Sequence, residues 1–384
     1  MTRITAAWLT GPAAHKVTKA LEDAGHTALF VGGCVRNTLL NAPVTDLDLA
    51  TDATPNAVLD LADATGIKAV PTGIDHGTVT LIHSETPIEV TTFRADVETD
   101  GRHAQVRFST DVAEDARRRD FTMNALYCDA RGTVVDPNGH GLADLAKRRV
   151  RFIGAAQDRV QEDYLRILRF FRFHAWYADP NGGLDADGLA ACAGGIEGLA
   201  QISAERVGGE IKKLLAAPDP SVALGAMVQS GVLHAVLPGA DDAAAARVAH
   251  LHDTPDAILR LAALGPEDGP VRLRLSRAES RRWESLRRAA ADGQSARELG
   301  WRLGAEDARA ALALRAALLG TPLPADMHVE VDAGAAAHFP VRSRDLMPDY
   351  QGAALGARLA ELEAAWIASG LRATREVLLS QTRQ

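Results

Sequence analysis

The apolar and polar positions divide the chain into a front part of mixed periodicity and a long helical remainder. Ala13, Val17 and Leu21 recur at helical spacing, which predicts a helix from a Thr10 N-cap to a stop at Gly25. The continuous apolar run Ala28–Val31 reads as a buried strand, ended by Gly32-Gly33 and followed by a helical pattern through Val35, Leu39 and Leu40. Past a turn at 41–43, Asp46-Leu47-Asp48-Leu49 alternates acid and apolar side chains, as a strand with one buried face does. Thr54-Pro55 opens a helix to about Thr65, with proline at its favoured first position. Stretches 67–70, 78–83 and 88–93 predict three more strands, with a turn at Asp75-His76-Gly77. Residues 94–110 are polar and weakly periodic, which predicts a mobile loop carrying Glu98, Asp100, Arg102 and Arg107. A strand and turn at 134–139 and a helix from Leu142 to Ala146 complete a mixed sheet with helices.

From Val160 the pattern is helical. One continuous helix is predicted over Val160–Ala175, with Tyr164, Leu168, Phe171 and Ala175 facing inward. Asp163 and Arg166 are neighbours on another face, Arg169 and Arg172 continue a cationic stripe, and Phe170 and Phe173 can pack or stack on a base. Ser203 caps a helix with Val207, Ile211, Leu214 and Leu215. The remainder reads as helices joined at Pro238-Gly239, Gly265-Pro266 and 320–324, without an internal repeat.

A chain of 384 residues is long enough for two or more domains, and 47% hydrophobic with 24% charged residues is ordinary for a globular protein. Abundant alanine and 5% aromatics favour helix. The start of the chain has no long apolar run, so neither a signal peptide nor a membrane span is expected. Cys34, Cys128 and Cys192 are far apart and odd in number, which suits a reducing cytoplasm and no disulfide framework. A net charge of −8 argues against blanket affinity for nucleic acid, but binding depends on local patches. Arginines crowd together over 117–172 and 272–315, either as such patches or as solvated helix faces with i,i+4 ion pairs.

Candidate chemistry concentrates in 28–51. Paired glycines before a helix let backbone N–H groups approach an anion, and Arg36 adds a forked cationic contact. Asp46 and Asp48 on one strand face suit a magnesium-dependent phosphoryl or nucleotidyl transfer. No GxGxxG or GxxxxGK[ST] is present, so the dinucleotide fold and the P-loop are unsupported. Glu89 is either a third carboxylate facing this pair or a solvent-face residue. The run Glu114–Leu126 is either a helix end anchored by salt bridges or a route by which Arg119 or Asp120 reaches phosphates or ribose. Asp163–Arg166, like Glu162–Arg166, can be an intrahelical ion pair. It can also select bases: cytosine and adenine offer an amino donor beside a ring-nitrogen acceptor, the complement of Asp plus Arg, whereas uracil and guanine invert both groups. Each group left unpaired in a closed site costs about 1–3 kcal/mol. His252-Asp253, with His234 and Asp256 as further ligands, is a weak metal motif, and Thr254-Pro255 suggests a helix boundary instead.

Taken together, Gly32-Gly33-x-Val35-Arg36, Asp46-x-Asp48, Glu89-Val-Thr-Thr-Phe-Arg94, Arg118-Arg119-Asp120-Phe-Thr-x-Asn124-Ala, Glu162-Asp163-x-x-Arg166-x-x-Arg169 and Glu205-Arg206-Val resemble bacterial class II tRNA nucleotidyltransferases, within the poly(A) polymerase head-domain family. The resemblance spans about 28–215. It implies an α+β fold: a polymerase-β-like nucleotidyltransferase head with a mixed sheet (10–152), a helical neck with a nucleotide-selecting helix (153–215), and a helical body and tail that binds tRNA (216–384). It implies untemplated addition of CCA to the tRNA 3′ end from CTP and ATP, with Mg²⁺ on the catalytic pair Asp46 and Asp48. Nucleotide would be bound by Gly32, Gly33, Arg36, Arg119, Asp120, Asn124, Asp163, Arg166, Arg169 and Arg172. The loop over 94–107 would serve the switch from C to A, and the helical region would grip acceptor stem and elbow by shape and phosphate contacts. The family usually has aspartate after Arg36; Asn37 stands here, which bears on a local ion pair and not on the metal site. Rival products are CC or A alone, or poly(A); a rival class is a non-catalytic RNA-binding protein retaining the fold.

Overall fold

The computed structural model describes residues 2–96 and 106–380. It divides into two compact units, Met1–Gln201 and Ile202–Gln384. In the first, helices α1 (Pro12–Asp23), α2 (Gly33–Leu39) and α3 (Pro55–Thr65) alternate with strands β1 (Ala28–Val31), β2 (Leu47–Thr51), β3 (Lys68–Gly73), β4 (Thr78–His83) and β5 (Thr86–Thr92). Strands β6 (Arg94–Asp96) and β7 (Val106–Phe108) follow, then α4 (Val112–Arg117), β8 (Tyr127–Cys128), β9 (Val134–Val135) and α5 (Gly141–Ala146). Helices α6 (Ala156–Glu162), α7 (Leu165–Tyr177) and α8 (Ala186–Gly194) end the unit.

Seven strands form one mixed sheet in the order β3-β4-β5-β2-β1-β8-β9. Among the described residues, only β2 and β5 pair in parallel. All four residues of β1 are buried, as a central apolar strand requires. At one edge, the N-terminal segment lies along β9: Ile4 N–H donates to Gly132 O and Val134 N–H to Thr2 O. At the other edge, β3 carries Lys68, Pro71 and a register shift between Val70 and Gly73.

Three local expectations are corrected. The N-cap of α1 is Gly11, because Pro12 takes the first helical position and Thr10 falls in the preceding turn. The stretch from Arg94 is not wholly loop: β6 and β7 pair as a two-stranded ribbon, Arg94 opposite Phe108. Residues 97–105, including Glu98, Asp100 and Arg102, lie outside the described residues. The helix expected over Val160–Ala175 is broken at Asp163, whose backbone is extended (φ −154°, ψ 105°). Its carboxylate accepts from Leu165 N–H at 3.0 Å and so starts α7 afresh, which propensity alone does not foretell. Leu168 and Phe171 are buried as expected, while Tyr164 and Ala175 are only half-buried.

The second unit is helical: α9 (Ala204–Leu215), α10 (Ser221–Gln229), α11 (Val232–Val236), α12 (Asp242–Leu251), α13 (Ala257–Leu264), α14 (Gly269–Arg272), α15 (Arg277–Ala291), α16 (Ala296–Leu319), α17 (Met327–Ala335), α18 (Gly352–Ala368) and α19 (Arg375–Ser380). Ser203 caps α9 as the sequence predicts. Arg260, 2% exposed, donates to the carbonyls of Leu215, Ala217 and Pro218, fixing the end of α9 against α13. Trp366 packs with Leu362, Leu378 and Val341 in a separate C-terminal cluster. No helix among the described residues is long and apolar enough to cross a membrane.

Adjacent glycines in α9 give opposite predictions. A Cβ on Gly208 would lie 2.0 Å from Leu273 O, whereas Gly209 has nothing within 4 Å. Gly208→Ala should destabilise by about 1–3 kcal/mol, and Gly209→Ala should stabilise by roughly 0.5–1 kcal/mol. Thermal melts of the two variants check both signs.

Candidate active site

The strand–glycine–helix turn is built as its sequence suggests. Gly32 has φ +72°, a region open to glycine, and a Cβ there would face Asn124 Oδ1 (3.7 Å) and Arg119 Nη1 (3.9 Å). Gly33 begins α2, and one turn on lies Arg36, 5% exposed. Arg36 donates to Asn124 Oδ1 (2.6 Å), Tyr177 Oη (2.8 Å) and Asn37 Oδ1 (2.9 and 3.1 Å). Where an ion pair with residue 37 was in question, a neutral carboxamide holds the guanidinium.

Asp48 is the second residue of β2, and Asp46 is exposed just before the strand rather than inside it. The two still act on one another electrostatically. The Asp48 carboxyl is pushed above the usual carboxylate range by burial and by the negative charges of Glu89 and Asp46, against the pull of Arg119 and Arg36. Glu89 is the direct register partner of Asp48 on parallel β5, so it shares the acid face of the sheet, at an exposed position. Among the described residues no three His, Cys, Asp or Glu side chains converge closely enough to hold a metal ion unaided. The excess negative charge around Asp48 fits a divalent cation whose remaining ligands come from a bound phosphate.

The Arg118-Arg119-Asp120 motif is anchored from within. Asp115, at 1% side-chain exposure, accepts from Arg118 (2.9 Å), Arg119 (3.0 Å) and Tyr127 Oη (2.7 Å). Burial raises its pKa, but Arg119 and Arg118 outweigh that and hold it down at about 2. The salt-bridged helix end is therefore real, and it fixes Arg119 beside Gly32. Asp120 is buried and accepts from Arg169, from Asn124 Nδ2 (3.2 Å) and from Phe121 N–H (2.9 Å). A short 3-10 turn, Thr122–Asn124, carries Asn124 between Asp120 and Arg36.

Helix α7 brings the remaining cations. The guanidinium carbons of Arg36, Arg169 and Arg172 lie 5.2, 5.5 and 4.6 Å from the Phe173 ring centroid. Phe170 and Phe173 are buried against Phe121, so they pack rather than stand open to a base. Arg166 pairs with Glu162 and donates to the carbonyls of Arg159 and Arg118, both at 3.0 Å. Thus Gly32, Arg36, Arg119, Asp120, Asn124, Arg169 and Arg172 form one connected group, with Asp48 within electrostatic reach of it. Arg166 borders it through the Arg118 carbonyl, whereas the Asp163 carboxylate is turned to Leu165 N–H at the start of α7. Sequence reasoning missed Tyr177 and the anchor Asp115. Tyr177 lies one turn beyond Phe173, so an aromatic repeat at i,i+4 was its available signal.

The helical unit answers two further expectations. Asp256 caps α13 through Ile258 and Leu259 N–H and takes both terminal nitrogens of Arg282, so His252-Asp253 marks a helix boundary and no metal site. Much of the 272–315 arginine cluster is engaged internally: Arg282 with Asp307 as well, Arg287 and Arg315 with backbone carbonyls, Arg297 with Glu330. Arg277, Arg281 and Arg288 are exposed along one face of α15.

Residues 28–151 match the model of the poly A polymerase head domain, and residues 185–244 match that of the probable RNA and SrmB-binding site of polymerase A. Over 200 residues the chain is 44% identical to the mitochondrial CCA tRNA nucleotidyltransferase 1 of Mus musculus, covering 52% of this chain and 46% of that protein. Over 225 residues it is 40% identical to the CCA-adding enzyme of Geobacillus thermodenitrificans, covering 58% and 54%. The chain thus spans about half the length of the curated relatives it matches. The CCA-adding enzyme of Bacillus stearothermophilus, solved in complex with CTP, superposes with a TM-score of 0.78 at 28% identity, over 97% of this chain and 98% of that one. The polymerase-β-like head followed by helices, expected from the motifs, is borne out. All of the connected group except Arg169 and Arg172 lies inside the head-domain match, and Asp163 and Arg166 also lie beyond it.

Asp115→Asn removes the charge that holds Arg118 and Arg119, and should cost about 3–5 kcal/mol near neutral pH. A depressed carboxyl stabilises above its unfolded pKa of about 4 and loses that contribution as pH falls toward its folded value. The gap between wild type and variant in urea unfolding should therefore narrow below about pH 4.

Proposed function

We propose that this protein adds CMP, CMP and AMP without a template to the 3′ end of tRNA, consuming CTP and ATP and releasing pyrophosphate. The observation that carries the reading is the convergence, within one unit, of the Gly32-Gly33 turn, the Arg36 guanidinium and the Asp48 acid face. The named relatives, and the CTP complex with which the chain superposes, support the choice of product.

In this reading the backbone of Gly32 and Gly33 and the Arg36 guanidinium bind the triphosphate. Arg119, fixed by Asp115, adds positive charge, while Asp120 and Asn124 position Arg169 and Arg36 around the nucleotide. Asp46 and Asp48 would hold magnesium, which supplies charge neutralisation at the attacking and leaving oxygens when bound. Asp163 and Arg166 select cytosine and adenine by the donor–acceptor complementarity set out above, with Arg172 supporting nucleotide and primer. The exposed Arg277, Arg281 and Arg288 of α15 suit RNA phosphates, which are read by charge and shape. Free, buried Cys34, Cys128 and Cys192 accord with work in the cytoplasm.

Purified protein given tRNA lacking its CCA should incorporate two C residues from CTP and a terminal A once ATP is added. Long tails from ATP alone would favour a poly(A) polymerase, and a stop after CC or a requirement for pre-existing CC would favour a partial enzyme. Asp46→Ala should abolish incorporation and leave tRNA binding within about twofold, since the phosphate-contacting arginines remain. Incorporation that survives this change would sink the two-carboxylate mechanism.

A further inference from the structure

The buried Arg36 cation has an unusual set of partners. Asn37 Oδ1 accepts from Nε and Nη2, Asn124 Oδ1 from Nη1 and Tyr177 Oη from Nη2. The Tyr177 ring lies 4.0 Å from its guanidinium carbon. Every one of these partners is neutral. Asp120 and Asp48 act on Arg36 only through space, Asp120 being engaged by Arg169, and Arg172 adds charge of the same sign. Four of the five N–H bonds are directed by these acceptors, and no carboxylate is hydrogen-bonded to the guanidinium.

Asn37 has a second bond that fixes which way its amide faces. Its Nδ2 donates to Pro43 O at 2.7 Å, so its oxygen must face Arg36. A carboxylate in the same place would keep the contacts to Arg36, lose the donor to Pro43 and introduce a counter-ion. The guanidinium lies against the glycine turn, with a Cβ on Gly33 falling 3.8 Å from Nη2. An anion reaching that turn would meet an oriented and un-neutralised cation, and electrostatic attraction in a low-dielectric setting is then at its strongest.

We propose that Asn37 is an affinity-determining positioning residue: it orients Arg36 without cancelling its charge, which is kept for the triphosphate of the incoming nucleotide. This rests on the nucleotide-binding reading above. It implies that an aspartate at this position trades triphosphate affinity for an internal ion pair.

The experiment is equilibrium titration of CTP, and of cytidine as a phosphate-free control, into wild type, Asn37→Asp and Asn37→Ala. Asn37→Asp should weaken CTP roughly 5–10-fold, leave cytidine unchanged, and flatten the decline of CTP affinity with added salt. Asn37→Ala lacks the added charge, so it should weaken CTP less than Asn37→Asp and keep the wild-type salt dependence. Equal CTP affinity in wild type and Asn37→Asp would overturn the proposal, as would a larger loss in Asn37→Ala, since orientation alone would then matter. A wild type that binds no CTP would instead overturn the nucleotide reading itself. Should Asn37→Asp fail to fold, Asn37→Ser, which retains a small neutral acceptor, should stay within about threefold of wild type for CTP; a larger loss would overturn the proposal.

Discussion

The candidate site depends on one buried carboxylate, Asp120. It accepts from Arg169 on α7, from the Asn124 amide and from the backbone of Phe121, and Asn124 in turn receives Arg36 from α2. Three segments far apart in sequence are thereby locked to one another through charge-assisted bonds with little solvent access. Such bonds are strong only when every member is satisfied, so the geometry of the turn and of the helix is set jointly. The buried rings of Phe121, Phe152, Phe170 and Phe173 pack together beside the network.

Around that anchor the signs of charge are segregated. Arginines gather on the Phe173 side, while Asp46 and Asp48 at the start of β2 face Glu89 on β5, and burial together with these negative charges raises the proton affinity of Asp48. Each group is unfavourable alone, because like charges repel and buried charges lose hydration. Under the proposed function, a polyphosphate with a divalent cation would supply complements to both at once. The helical unit is organised otherwise: Arg260, Arg287 and Arg315 direct their guanidinium groups at carbonyls near helix ends, so they act as internal caps.

Much of the head was legible because its signals are local. The β1 run, the helix from Pro55 to Thr65, strand β4 and the Ser203 cap follow from periodicity and capping chemistry within a few residues. The acids, glycines and arginines of the site were legible as motifs, since each combines unusual residue types at fixed spacing. What was not legible depends on partners remote in sequence. Tyr177 meets Arg36 across 141 positions. The ribbon β6–β7 has three residues in each strand, too few for an alternation such as Val106-Arg107-Phe108 to stand out from a loop. The break at Asp163 looks helical by spacing, because an acid at an N-cap and an acid within a helix read alike until the backbone angle is known. Asp115 resembled any surface acid in a charged run until Tyr127 and two arginines closed over it.

The sheet also resolves a hazard common to open β structures. Pro71 and Lys68 make one outer strand a poor template for another chain, and on the opposite border the Thr2 carbonyl accepts from Val134 N–H while Ile4 N–H donates to Gly132 O. Neither border therefore offers an uninterrupted ladder for self-association. Residues 2–4 thus occupy the border along which a second chain would otherwise pair.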